Sequence, residues 1–146
     1  MKIPSELFIR AIQERKVYYF TSEKISSEEP HHFICLKKTD EDILIMSCCT
    51  SQYTTMIRLL EQNNLPNETI VWVSPADEEN PFTKNTYVNC NEYFTYTIDE
   101  FKNLYESDKV KFTGEISEIH YEQILIGIQM SPLIDDETKE LLPKPY

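Results

Sequence analysis

The sequence predicts an α+β fold built from short, mostly antiparallel strands with helices inserted between them. Three observations carry that expectation. β-Branched and aromatic runs recur along the chain, segments with apolar residues at helical spacing separate them, and most connections are too short for parallel crossovers. At 146 residues the chain suits one domain that needs neither a disulfide nor a metal to fold.

Pro4 to Lys16 reads as a first helix, because Pro4 suits an early turn and Leu7, Phe8, Ala11 and Ile12 fall at helical spacing. Val17-Tyr18-Tyr19-Phe20 is a strand, and the polar residues from Thr21 to Pro30 form a loop. His32 to Leu36 and Ile43 to Cys49 make a hairpin around the charged turn Lys37 to Asp42. Centring the turn near Thr39-Asp40 sets residue 31 opposite residue 48. Tyr53 to Asn63 is a helix through Met56, Leu59 and Leu60, ended at Asn63-Asn64-Leu65-Pro66. Thr69 to Val73, Thr86 to Cys90 and Tyr93 to Tyr96 supply further strands. Thr97-Ile98-Asp99-Glu100 matches a capping box ahead of Phe101 and Leu104. Lys109 to Gly114 reads as loop. A last helix opens at Ser117, runs through Tyr121, Ile124, Leu125 and Ile128, and stops at Ser131-Pro132. The tail from Asp135 is polar and Pro-rich, with only partial order expected. The sum is five or six strands and about four helices.

Charge excludes several functions. Asp and Glu outnumber Lys and Arg by 25 to 14, a formal net charge of −11, so the chain repels non-specific DNA and anionic membranes. No apolar run approaches the ~20 residues of a membrane span, and the start has no signal-peptide core, so a cytoplasmic protein is expected. With Gly114 and Gly127 as the only glycines, there is no P-loop, dinucleotide fingerprint or G-x-S-x-G elbow. The acidic runs Asp40-Glu41-Asp42 and Asp77-Glu78-Glu79 read as solvated turns. Cys35, Cys48, Cys49 and Cys90 lack zinc-knuckle spacing, so no metal and no cofactor is expected. Cys35, Cys48 and Cys90 should be buried, reduced thiols. Alternation places Leu44, Met46 and Cys48 on one face of their strand and Ile45, Ser47 and Cys49 on the other.

Two clusters could carry chemistry. Thr50-Ser51 stands where a buried strand gives way to a helix. Hydroxyls there could cap the helix or hold a phosphate against its unpaired N–H groups. His31-His32 lies at the mouth of the hairpin, and imidazoles are the usual acid and base of metal-free RNA cleavage. On an alternating strand their rings point to opposite faces, so at most one should share a cleft with Thr50. Arg58, two turns along the helix, is a candidate phosphate clamp or a plain surface arginine.

The order of these features resembles a known family. HHFICL, a hairpin, ILIMSCCTSQ, TIVWV, TYVNC, YFTYTIDEFKNLY and GEISEIHYEQILIGI together look like the MazF/PemK/Kid toxins of type II toxin–antitoxin systems, and more distantly the ToxN-like endoribonucleases. The resemblance spans residues 17–130 of a single 1–146 domain, leaving 132–146 as a tail. It implies a small SH3-like, mostly antiparallel β-barrel decorated by helices, a homodimer, and a cognate antitoxin partner. The implied activity is metal-independent cleavage of single-stranded RNA. Thr50 and Ser51 match the family's active-site hydroxyl after the second hairpin strand. The family's arginine ahead of the first hairpin strand is replaced here by His31 and His32. The mechanism so implied has a ribose 2′-hydroxyl attack the adjacent phosphate, with His31 or His32 as base or acid. Thr50 and Ser51 would orient that phosphate, and Gln52 and Arg58 would bind substrate. The rival reading is a catalytically inactive barrel, a protein-binding or regulatory module. Nine tyrosines and seven phenylalanines, a type enriched in interface cores, also fit a homodimer. A neutral or positive surround at Thr50 favours the nuclease, and a uniformly negative one favours the module.

Overall fold

Seven strands pair edge to edge, every pairing antiparallel, in the computed structural model, which describes residues 2–77 and 79–145. They are β1 (Lys16–Phe20), β2 (His31–Lys38), β3 (Ile43–Thr50), β4 (Ile70–Val73), β5 (Thr86–Asn89), β6 (Phe94–Thr97) and β7 (Val110–Glu115). The order is β4-β5-β3-β2-β1-β7, and β6 joins on β3. Along its free edge β3 pairs first with β6, from Ile43↔Thr97 to Met46↔Phe94, then with β5 at Cys49 and Thr50. One strand edge serves two partners, so the sheet curls around β3 into a small barrel-like α+β fold.

Both faces of the sheet are covered, and strand alternation sorts the residues between two cores. On one face Tyr18, Phe20, Phe33, Cys35, Leu44 and Met46 pack with Phe8 of helix α1 (Ser5–Arg10) and Phe101 of α3 (Ile98–Glu106). On the other, Val17, Ile34, Leu36, Ile45, Cys49, Val71 and Val88 pack under α4 (Glu118–Met130). Tyr121, Ile124, Leu125 and Ile128 of α4 are all buried there, as their spacing predicts. Burying each such side chain contributes about 1.5–3 kcal/mol. The capping box ahead of α3 is formed in full: Glu100 N donates to Thr97 Oγ1 at 3.0 Å, and Thr97 N donates to Glu100 Oε1 at 2.9 Å.

Four local expectations need correction. The first helix ends at Arg10 rather than Lys16, because Ile12 dives into the core and Arg15 takes φ +78° to turn the chain into β1. Residues 109–114, expected as loop, form most of edge strand β7, which pairs with β1. Its pattern was illegible because only Val110 is buried and Phe112 faces solvent. The tail, expected to be only partly ordered, carries a helix, α5 (Asp136–Leu141), the fifth α-helix among the described residues, with α2 at Tyr53–Asn63. Asp135 caps α5 through Thr138 N at 2.9 Å and accepts Tyr93 Oη–H at 2.8 Å, while Leu142 is buried. The hydrogen bonds from Thr138 and Tyr93 hold the Asp135 carboxyl down to about 2.

Cys35, Cys49 and Cys90 are buried, but Cys48, expected among them, is half-buried. It falls where β3 has left β6 at Met46 and has not yet met β5 at Cys49. Burial still pushes Cys48 and Cys35 up to about 12, and raises Cys49 and Cys90 as well. Reactive thiols are thiolates, so none should react fast at pH 8. A colorimetric thiol titration is expected to show slow labelling of the native protein, Cys48 first, and four thiols on unfolding. One thiol reacting at the rate of free cysteine would contradict this account.

Candidate functional site

The hairpin turn is closed by Thr39 N donating to Ile43 O at 2.9 Å, with Asp42 in the left-handed region at φ +61°. Its centre therefore lies beyond Thr39-Asp40, and a bulge at Leu36 then slips the register by one residue. Phe33 pairs with Cys48, and two residues further the same register sets His31 across from Thr50 rather than Cys48. The corrected register brings the histidines and hydroxyls closer together than the sequence suggested.

A cleft of about 600 Å³ opens at this end of the sheet, lined by His31, His32, Cys49, Thr50, Ser51 and Gln52. Tyr19, Ser27, Glu29, Pro30, Phe82, Thr83, Lys84, Thr86 and Thr113 complete its walls. Both histidines line it, against the expectation that only one could. His31 is the first residue of β2, and its Nδ1 lies 3.0 Å from Glu29 O in the preceding loop, so its ring folds back instead of standing off the sheet. A carbonyl only accepts, so Nδ1 carries the proton and Nε2 is left to the cleft. His32 points to the opposite face, held between Tyr19 (ring centroids 4.6 Å) and the edge of Phe82 (5.2 Å). Burial, and next the neighbouring His31, lower its pKa from the ordinary 6.5. It is therefore neutral at pH 7.

Thr50 and Ser51 do not cap α2. Gln52 is its N-cap, the Gln52 side chain makes no capping hydrogen bond, and Thr50 Oγ1 accepts from Gln52 N at 3.1 Å. Arg58 lies exposed on α2 and is not among the residues lining the cleft. The lining cation is Lys84, which sequence reasoning missed. It is carried by the segment between β4 and β5, and long-range contacts fix that segment. Arg15 Nη2 meets Glu79 Oε1 at 3.0 Å, and His120 Nε2 meets Asp77 Oδ2 at 3.2 Å. These two acids thus have partners rather than being merely solvated; Glu78 lies outside the described residues. Gly114, at φ +148°, lets β7 approach this loop, since a Cβ there would stand 3.1 Å from Pro81 Cβ. Phe82 is buried in the core and anchors the loop beside His32. An isolated phenylalanine in a polar loop was the available signal.

The charge around the cleft differs from that of the whole chain. No Asp or Glu occurs in residues 30–39, 43–60, 69–76 or 80–91, and these stretches supply most of the lining. Among the described residues, Glu29 is the one carboxylate on the wall, against Lys84 and two imidazoles. In a chain of net charge −11 the site is locally neutral to basic. Among the described residues, no group of three or more His, Cys, Asp or Glu side chains gathers as a metal site would require. No helix among them is long and apolar enough to cross a membrane.

No family model and no curated protein matches the sequence. Among solved structures, the chain is similar to an endoribonuclease in complex with its cognate antitoxin from a mycobacterial species. The TM-score is 0.53 at 16% identity, covering 92% of this chain and 100% of the other. The two chains share a fold.

Proposed function

We propose that this chain is a MazF/PemK-like, toxin-type endoribonuclease that cleaves single-stranded RNA without a metal ion. The observation that carries the proposal is the cleft at Thr50, where two imidazoles, several hydroxyls and Lys84 meet within segments free of carboxylates. The similarity in fold to an endoribonuclease supports it. In this mechanism a ribose 2′-hydroxyl attacks the adjacent phosphorus and the bond to the 5′-oxygen breaks, leaving a 2′,3′-cyclic phosphate and a 5′-hydroxyl. His32, neutral at pH 7, takes the 2′-hydroxyl proton, and His31, in the form that carries protons on both ring nitrogens, gives its Nε2 proton to the leaving oxygen. Thr50, Ser51 and Gln52 orient the phosphate. Lys84 offsets the charge that develops on it, a role the structure's geometry favours over Arg58.

A cognate antitoxin is the protein partner we infer, and a second copy of the chain the assembly. The test is incubation of a long single-stranded RNA in EDTA with wild type and Thr50→Ala. Cleavage by wild type, slowed about a hundredfold by loss of the Thr50 hydroxyl, is expected. No cleavage by wild type, or equal cleavage by both, would return the chain to the reading of a non-catalytic binding module.

A further inference from the structure

We propose that Trp72, Tyr87 and Tyr53 form a stacking platform for the bases of single-stranded RNA beside the phosphate held at Thr50. This rests on the ribonuclease reading of the cleft and adds the surface that grips the substrate's bases. Trp72 pairs across β4–β5 with Tyr87, and Tyr87 pairs across β5–β3 with Thr50. Directly paired residues share a face, so the three side chains form one row. The row lies on the face away from the core that buries Val71, Val88 and Cys49. Two strand spacings separate its ends, about 10 Å. That is within reach of nucleotides flanking a phosphate at Thr50.

The row is built to receive flat rings. Trp72 is 58% exposed, and its indole is oriented by Nε1–H donating to Asn85 Oδ1 at 3.1 Å. Tyr53, 57% exposed at the start of α2, leans on Tyr87 with centroids 5.3 Å apart. Trp72 and Tyr53 leave most of their ring surface in water on either side of Tyr87, a grouping of aromatics that a flat ring can cover. The charge pattern selects the occupant: the strands and helix turn that carry these rings lie within residues 43–60, 69–76 and 80–91, which hold Arg58 and Lys84 but no carboxylate. A polyanion with exposed bases fits that surface, through stacking worth about 1–3 kcal/mol per base.

Trp72 is the single tryptophan of the chain, so its fluorescence reports on this position alone. The probe is a short single-stranded RNA with 2′-O-methyl riboses, which lacks the attacking hydroxyl, compared with its duplex and with inorganic polyphosphate. Saturable quenching by the single strand, and none by polyphosphate, is expected. By anisotropy of labelled RNA, Trp72→Ala should weaken binding about tenfold or more, and Trp72→Phe should recover most of it. With cleavable RNA, Trp72→Ala should raise KM with little change in kcat. Wild-type cleavage with unchanged binding and KM in Trp72→Ala would overturn the platform and leave the ribonuclease standing. Quenching without cleavage would uphold the platform and reject the chemistry. Absence of quenching by RNA, with Trp72 shielded instead in a two-protomer species, would overturn the platform in favour of a face between copies.

Discussion

Replacing His32 by alanine is expected to lower RNA cleavage by about two to four orders of magnitude, the usual contribution of a positioned acid or base. The same variant should still fold, since His32 stands at the start of β2 with its ring only partly buried between Tyr19 and Phe82. The sharper readout is the pH profile. Burial first, and the adjacent His31 second, hold the His32 pKa below its ordinary 6.5. A base must be neutral to act, so wild-type kcat/KM should stay level below pH 6.5 and fall only as pH drops through the depressed value. Removing the neighbouring charge in His31→Ala should move that acid limb upward, toward 6.5. An acid limb at or above 6.5 in wild type, or one that persists in His32→Ala, would remove His32 from the role of base. Stability follows the same sign. Below pH 6.5 the unfolded chain binds the His32 proton more readily than the folded one, so this group's contribution is present above 6.5 and lost on acidification.

What the sequence made legible follows from where local pattern and global packing agree. Leu44, Met46, Ile45 and Cys49 alternate because β3 is buried on both faces, and the two cores divide them as the period of two requires. Thr97-x-x-Glu100 and the Tyr121–Ile128 stripe are local signals that tertiary structure left intact. Edge strand β7 exists because its backbone pairs with β1, a partner far away in sequence, and its exposed Phe112 carries no alternation to read. Tail helix α5 is likewise fixed by distant contacts, Tyr93 on Asp135 and the burial of Leu142.

The candidate site divides in the same way. Thr50, Ser51, His31 and His32 are neighbours through one hairpin, and hairpin geometry is nearly local, so their convergence could be anticipated. Its register could not, because the bulge at Leu36 leaves no mark in composition. Lys84 and Phe82 reach the cleft on a loop whose position depends on Arg15, Gly114 and His120, drawn from three separate parts of the chain. No window of sequence contains that information. Arg58 was the cation in view from Thr50 along the chain, while Lys84 is the one the fold delivers to the cleft.

The largest expected loss of stability comes from a single methyl group. Gly127 lies within α4, where alanine would ordinarily be favoured over glycine by about 0.5–1 kcal/mol through backbone entropy. Here a Cβ would stand 2.6 Å from Glu68 O, 2.9 Å from Cys90 Sγ and 3.1 Å from Cys90 Cβ. The thiol could rotate aside. The carbonyl cannot, because Glu68 belongs to the 3₁₀ turn Asn67–Thr69, and Thr69 O accepts from Cys90 N at 2.8 Å, locking that turn to the end of β5. Gly127→Ala must therefore lift α4 off the sheet or break this junction, and overpacking of that kind costs typically about 1–3 kcal/mol. Net of the helix-propensity gain, we expect a loss of about 1 kcal/mol, or about 2–4 °C in Tm for a chain of this size. Gln123→Ala, on the exposed side of the same helix, should stay within about 0.5 kcal/mol of wild type and controls for propensity alone. Chemical denaturation of the three proteins measures the difference. If Gly127→Ala proved as stable as wild type, the close approach of α4 to Glu68 and Cys90 would not be the constraint that requires glycine. In that case the propensity term, which favours alanine, would govern the position instead.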